Sequence, residues 1–112
     1  MPYDEGLAQR VRELLEEEPG FDEKKMFGGI CFLLFGNMVC GIINDDLIVR
    51  VGVDVYEEAL KLAQTKKFDL TGRPMRGWVM VLSPSLESDE NLSQWVRRAV
   101  THVRSLPSKQ GI

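Results

Sequence analysis

The densest apolar stretch of the chain runs from Lys24 to Val51, and two polar turn signals divide it into short segments. The signals are Gly36-Asn37 and Asp45-Asp46, which are residue pairs that tolerate the positive φ of a two-residue hairpin turn. Each segment between them has the length of an ordinary strand. The stretch therefore predicts a three-stranded antiparallel meander.

The two turns also predict which side chains share a face of the sheet. They place Leu33 opposite Cys40, and Cys40 opposite Val51, on one face. The other face would then carry six apolar side chains: Ile30, Phe32, Leu34, Val39, Ile43 and Ile48. Because both faces are apolar, we expect one of them to need cover from a partner. These six residues are the predicted interface, with a homodimer as one form that it could take.

Helical patterns flank the meander on both sides. The first begins at Asp4 and ends at Pro19-Gly20, and the last is capped by Ser88 and stopped by Pro107. Between them we expect a helix capped by Asp54, with a buried stripe at Tyr56, Ala59, Leu60 and Ala63, and then strands at Phe68 to Thr71 and Trp78 to Leu82. This order predicts an α+β fold of the type α-β(3)-α-β(2)-α.

Length and composition fit one ordinary globular domain, expected over residues 1–107 with a flexible tail at 108–112. No apolar run reaches the roughly 18 to 20 residues that span a bilayer, and no signal segment is recognised, so the sequence predicts a cytoplasmic protein without membrane contact. Cys31 and Cys40 are expected to be reduced and buried on one face, in diagonal rather than direct opposition.

No grouping of side chains predicts catalysis. The chain lacks a Ser/His/Asp or Cys/His motif, a P-loop and a set of metal ligands, so we expect neither an enzyme nor a cofactor. The acidic run Glu16-Glu17-Glu18 points in several directions around its helix, and His102 is the only histidine.

If a small anionic ligand binds, the predicted site is Arg50, Arg73 and Arg76, joined by Lys25. Arg50 interrupts an apolar face beside Gly41, and the loop from Gly72 to Gly77 could converge on it. The alternative is that Arg50 pairs with an acidic neighbour or reaches solvent along its aliphatic stem.

Three segments carry a resemblance to a known family. They are YDEGLAQRVRELL, EKKMFGGICFLLFGNMVCGIINDDLIVRVG and FDLTGRPMRGWVMV, and their most specific pieces are residues 25–29, the Gly-Asn-Met turn and residues 71–78. Together they closely resemble the amino-terminal domain of the TfoX (Sxy) competence-regulator family, from Tyr3 to about Pro107.

The resemblance implies a two-layer fold similar to type III secretion chaperones. In it, helices pack against a five-stranded antiparallel sheet of order 1-2-5-4-3. It also implies a link to transcriptional control of DNA uptake, where the full regulator works with the cyclic-AMP receptor protein. Full-length members carry a second, carboxyl-terminal domain, and we expect this chain to be a stand-alone copy of the first.

The favoured function is a regulatory domain that binds a protein partner, either itself or, by the resemblance, the transcription machinery. The alternative is a nucleic-acid or anion binder. Residues 1–65 hold 6 basic and 13 acidic side chains (−7), whereas residues 66–112 hold 8 and 4 (+4). No helix-turn-helix, RRM-like or zinc-finger signature accompanies the basic half, so direct sequence-specific DNA binding is not expected.

Overall fold

The computed structural model describes residues 3–26, 28–69 and 75–107. Its helices are α1 (Glu5–Leu15), α2 (Tyr56–Leu60) and α3 (Asp89–Arg104), and 3-10 turns lie at Val53–Val55 and Ser83–Leu86. Its strands are β1 (Phe21–Met26), β2 (Gly29–Leu34), β3 (Asn37–Ile43), β4 (Asp46–Arg50), β5 (Thr65–Lys67) and β6 (Trp78–Val81). The α+β class is confirmed. In the described part, no helix has the length and apolar character needed to cross a membrane.

The strands form one antiparallel sheet in the order β1-β2-β3-β4-β6-β5. The sheet therefore has six strands instead of five, and the predicted order 1-2-5-4-3 is wrong. The additional strand is β1, whose sequence FDEKKM lacks an apolar run because it lies at the sheet edge, where charged residues protect against aggregation. The meander strands stay adjacent because short hairpins connect them, and β6 then pairs with β4.

The register of β2 against β3 differs from the predicted one. The connecting turn is formed by Phe35 and Gly36, with φ of 50° and 83°, so it lies one residue earlier than predicted. Ile30 consequently lies opposite Ile42, and the pairing shifts again between Phe32 and Leu33. Phe35 can adopt this backbone conformation because its N–H donates to the carbonyl of Gly20 at 2.9 Å.

A shift of one residue moves a side chain to the other face of a sheet. Ile30, Phe32, Leu34 and Val39 therefore belong to the core beneath the helices, while Ile43 and Ile48 lie outside that core cluster, on the opposite face. The prediction that these six residues share one face is wrong. The cysteines separate in the same way, since Cys40 joins the core and Cys31 lies on the opposite, open face.

The first and last helices are fixed by side-chain caps and by their apolar faces. The carboxylate of Asp4 accepts a hydrogen bond from the Leu7 N–H at 3.1 Å, and the Ser88 hydroxyl accepts one from the Asn91 N–H at 3.2 Å. Helix α3 packs over β3 and β4, and α1 packs against α3. Arg12 connects α1 to β1, because its guanidinium donates to both carboxylate oxygens of Glu23 at 2.7 and 2.9 Å.

The second helix is much shorter than predicted. Asp54 forms no capping hydrogen bond, since it lies within the preceding 3-10 turn, and Ala63 lies outside the helix and is exposed. A positive φ of 60° at Gln64 leads directly into β5, earlier than the predicted strand at Phe68 to Thr71, whose last two residues lie outside the described part. Beside α3, the helix layer over β5 and β6 therefore contains, in the described part of the chain, only the short helix α2.

Candidate protein-interaction groove

A groove of about 830 Å³ lies between α3 and the segment of residues 51–62. Its floor is apolar. Val53, Val55 and Leu62 line it while remaining 56%, 41% and 41% exposed. In the described residues, six large apolar side chains are at least 38% exposed, and three of them lie in this groove. Half of the exposed large apolar side chains of the described residues are thus gathered in one groove.

The two walls of the groove carry opposite charges. Arg97 and Arg98 line it from α3, and Asp54 and Glu58 line it from the opposite side. All four side chains are exposed. The salt bridges within the described part of the chain join other residues, so none of them crosses the groove. The walls attract each other without closing the space between them.

Helix α3 itself holds its two arginines in place. Arg97 donates to the hydroxyl of Ser93, one turn earlier, at 3.0 Å. The guanidinium carbon of Arg98 lies 4.8 Å from the ring centroid of Trp95, whose own side chain is buried. Both contacts leave the charge available to solvent or to a ligand.

The floor of the groove is tied to the sheet at Gly52. The N–H groups of Val51 and Gly52 both donate to the carbonyl of Gly77, at 2.8 and 3.0 Å. Gly52 has φ 93° and ψ 153°, a backbone conformation that is accessible essentially only to glycine. The absence of a side chain here also lets His102, from α3, lie against the backbone.

His102 lines the groove from α3, where burial lowers its pKa and the positive charge of Arg50 lowers it further. Asp54 acts in the opposite direction and does not reverse the shift. At neutral pH the imidazole is therefore uncharged. The charge of the groove comes from its two walls alone.

The structure separates Lys25 from Arg50 in the predicted anion site. Arg50 stacks on Trp78, its neighbour across the sheet, with 5.6 Å between the guanidinium carbon and the ring centroid. Arg76 is exposed in the turn before β6, and Arg73 lies outside the described residues. Lys25 is on β1, three strands from β4 and on the helix-covered face, so it does not converge with Arg50. In the described part of the chain, Arg50 has a ring contact and no acidic partner.

Two apolar side chains at the centre of the open face of the sheet are buried. Ile48 is only 1% exposed and Cys31 only 3%. Gly41 allows this cover, since a β-carbon there would lie 3.1 Å from the terminal methyl of Met38 and 3.3 Å from the sulfur of Cys31. Burial also raises the pKa of Cys31 to about 11, so its thiol is protonated at neutral pH. No group of acidic, His and Cys side chains in the described ranges could hold a metal ion.

Sequence reasoning missed the groove. A signal was present, because Val53 and Val55 flank an acidic residue at a helix start where an apolar face has no obvious partner. Finding the groove also required knowing that α2 is short. The apolar stripe of the sequence predicted a longer helix. Arg97 and Arg98 lie away from the apolar face of α3, but nothing in the sequence places them opposite Asp54 and Glu58.

The chain matches the profile of a known protein family. The profile of the TfoX N-terminal domain matches residues 13–103, from α1 to α3, and so includes both walls of the groove. No curated protein and no solved structure matches the chain. Since the profile covers most of its length, the chain belongs to the TfoX N-terminal domain family.

Proposed function

We propose that the protein is a non-enzymatic regulatory domain that acts by binding a segment of another protein in the groove between α3 and residues 51–62. Membership of the TfoX N-terminal domain family supports the regulatory role. The family resemblance favours control of competence genes as the setting, with a component of the transcription machinery as the partner. A homodimer is a further form that such an interaction takes.

The observation that carries the proposal is the position of the exposed apolar side chains. Val53, Val55 and Leu62 lie in one concave surface beside charged walls. A concave apolar patch with a polar rim is the usual anatomy of a site that buries side chains of a partner. A partner that covers this floor removes apolar area from water, which stabilises the complex.

The chemistry of the groove supports binding over catalysis. The His102 imidazole lies against Gly52 and, in the part of the chain that is described, forms no hydrogen bond with a hydroxyl, thiol or carboxylate side chain. A general base would need such a contact with the group that it activates. The two thiols are buried in the sheet, away from the groove.

The alternative, a nucleic-acid or anion binder, has less support. Arg97 and Arg98 face Asp54 and Glu58 across the groove, and these carboxylates repel a phosphate backbone. Lys66 and Lys67 are neighbours on β5 and point to opposite faces of the sheet. These two lysines therefore do not share one surface.

A selection from a library of random peptides tests the proposal. We expect wild-type protein to enrich peptides whose affinity falls about tenfold or more in Leu62→Gln, because a leucine that becomes buried contributes about 1.5–3 kcal/mol. Leu14→Gln is the matched control, since Leu14 is 40% exposed and Leu62 41%, and Leu14 lies on α1 outside the groove. Peptides that bind both variants equally well would contradict the proposal.

A further inference from the structure

We infer that the partner of the groove is an amphipathic α-helix with an apolar stripe between one acidic and one basic edge. The acidic edge of the partner helix would contact Arg97 and Arg98 of the groove. Its basic edge would contact Asp54 and Glu58 on the opposite wall. This inference rests on the proposed function and names the class of partner that the groove fits.

The hydrogen bonding of the groove favours a helix over an extended peptide. An extended segment that adds to a sheet needs unpaired backbone groups along its path. Here one wall is α3, whose backbone groups bond within the helix, and the floor N–H groups of Val51 and Gly52 already donate to Gly77. A helix satisfies its own backbone and can be buried without such partners.

The position of the groove within the helix layer leads to the same conclusion. Helices α1 and α3 lie side by side, whereas α2 has only five residues and packs on β5 and β6 without extensive contact with α3. Packed helices have axes about 8–10 Å apart. A helix from a partner that enters between α2 and α3 extends the same layer over Val53, Val55 and Leu62.

The charges of the walls select the edges of the partner helix. Because no salt bridge crosses the groove in the described part of the chain, all four wall charges are available to a ligand. A helix with two acidic edges is repelled by Asp54 and Glu58, and one with two basic edges is repelled by Arg97 and Arg98. Like charges that face each other oppose the wrong partner, so the walls provide specificity as well as attraction.

Three synthetic helical peptides test the inference. They share one apolar stripe of leucines and differ only in their edges, which are acidic and basic, both acidic, or both basic. We expect the peptide with mixed edges to bind full-length protein about tenfold more tightly than either of the others at low salt, as measured by calorimetry. The preference should shrink as salt screens the walls.

A charge reversal on one wall tests the contribution of the charges separately from that of the leucine stripe, which the three peptides share. The double variant Arg97→Glu/Arg98→Glu has two acidic walls, so it should prefer the peptide with two basic edges. Lys24→Glu/Lys25→Glu is the matched control, because it reverses two adjacent exposed charges on β1, at the far side of the sheet. This control should keep the wild-type order. Circular dichroism establishes that both variants are folded.

The possible results separate the inference from the proposed function. Equal affinity for all three peptides, with all of them sensitive to Leu62→Gln, would overturn the charged-edge inference and leave the groove as a binding site. Library peptides that need Leu62 but are extended when bound, as judged by backbone chemical shifts, would overturn the helical partner. Library peptides that bind independently of Leu62 would overturn the proposed function as well.

Discussion

The imidazole of His102 lies against the backbone of Gly52, so closely that a β-carbon at residue 52 would be 2.6 Å from Nδ1. This contact joins the last turns of α3 to the floor of the groove. It depends on the missing side chain and on a backbone conformation that other residues avoid. The two walls of the groove are therefore held at a distance that one glycine determines.

Gly52→Ala should lower the free energy of unfolding by about 1–3 kcal/mol from backbone strain alone, because alanine is strained at this φ and ψ. The contact with His102 adds to this cost. In the double variant Gly52→Ala/His102→Ala, part of the loss should be recovered. Gly28→Ala is a suitable control, since Gly28 also has positive φ but a β-carbon there would meet no atom within 4 Å. Equal losses at both glycines in urea unfolding would contradict a specific contact with His102.

The stability of the fold should depend on pH through His102. Its pKa is lowered from 6.5 in the folded chain, so between the two pKa values the unfolded chain binds more protons. The contribution of His102 to the free energy of unfolding is then fully present above about pH 6.5, and it decreases as the pH falls toward the pKa of the folded chain. His102 is the only histidine, and His102→Gln should remove the slope in this window. An unchanged slope in the variant would show that another group is responsible.

Phe32 should be among the most sensitive positions of the sheet. It is 0% exposed and belongs to the core beneath the helices. Phe32→Ala is expected to cost about 3–5 kcal/mol, measured by urea unfolding. Ile43→Ala, on the open face where the side chain is partly exposed, should cost less than about 2 kcal/mol. A larger loss for Ile43→Ala than for Phe32→Ala would contradict the assignment of the core to the sheet face beneath the helices.

Both cysteines should resist modification in the folded protein. Cys31 is 3% exposed with its pKa raised to about 11, and Cys40 is 0% exposed with its pKa raised further by burial. Since the thiolate is the reactive form, an aromatic disulfide reagent at pH 8 should label neither residue until denaturant is added. Rapid labelling of native protein would mean that the open face is less well covered than the structure indicates.

Local sequence signals predicted the elements whose ends are marked by a specific residue. Ser88 and Pro107 marked the two ends of the last helix. A capping side chain and a proline, which has no backbone N–H to donate, both act within one helical turn. The meander was recognised as three strands, since apolar segments separated by turn residues have few alternatives. These features depend on neighbours in sequence.

The register and the groove depend instead on contacts between distant residues. A turn formed by Phe35 and Gly36 is unusual, and it is stabilised by the carbonyl of Gly20, which belongs to a different connection. That single-residue difference moved Phe32 from a predicted interface into the core. The end of α2 is likewise fixed by the entry into β5, which pairs with β6 further along the chain. Periodicity alone carries no information about either contact.

Amide chemical shifts of labelled protein, recorded while the peptide with mixed edges is added, show where on the surface the peptide binds. We expect the largest changes to cluster at Val53, Val55, Leu62 and Arg98. Leu62→Gln should abolish them, whereas Leu14→Gln should not. Changes centred on Ile43 and Ile48 would place the binding surface on the open face of the sheet instead of in the groove, which would overturn the proposed function.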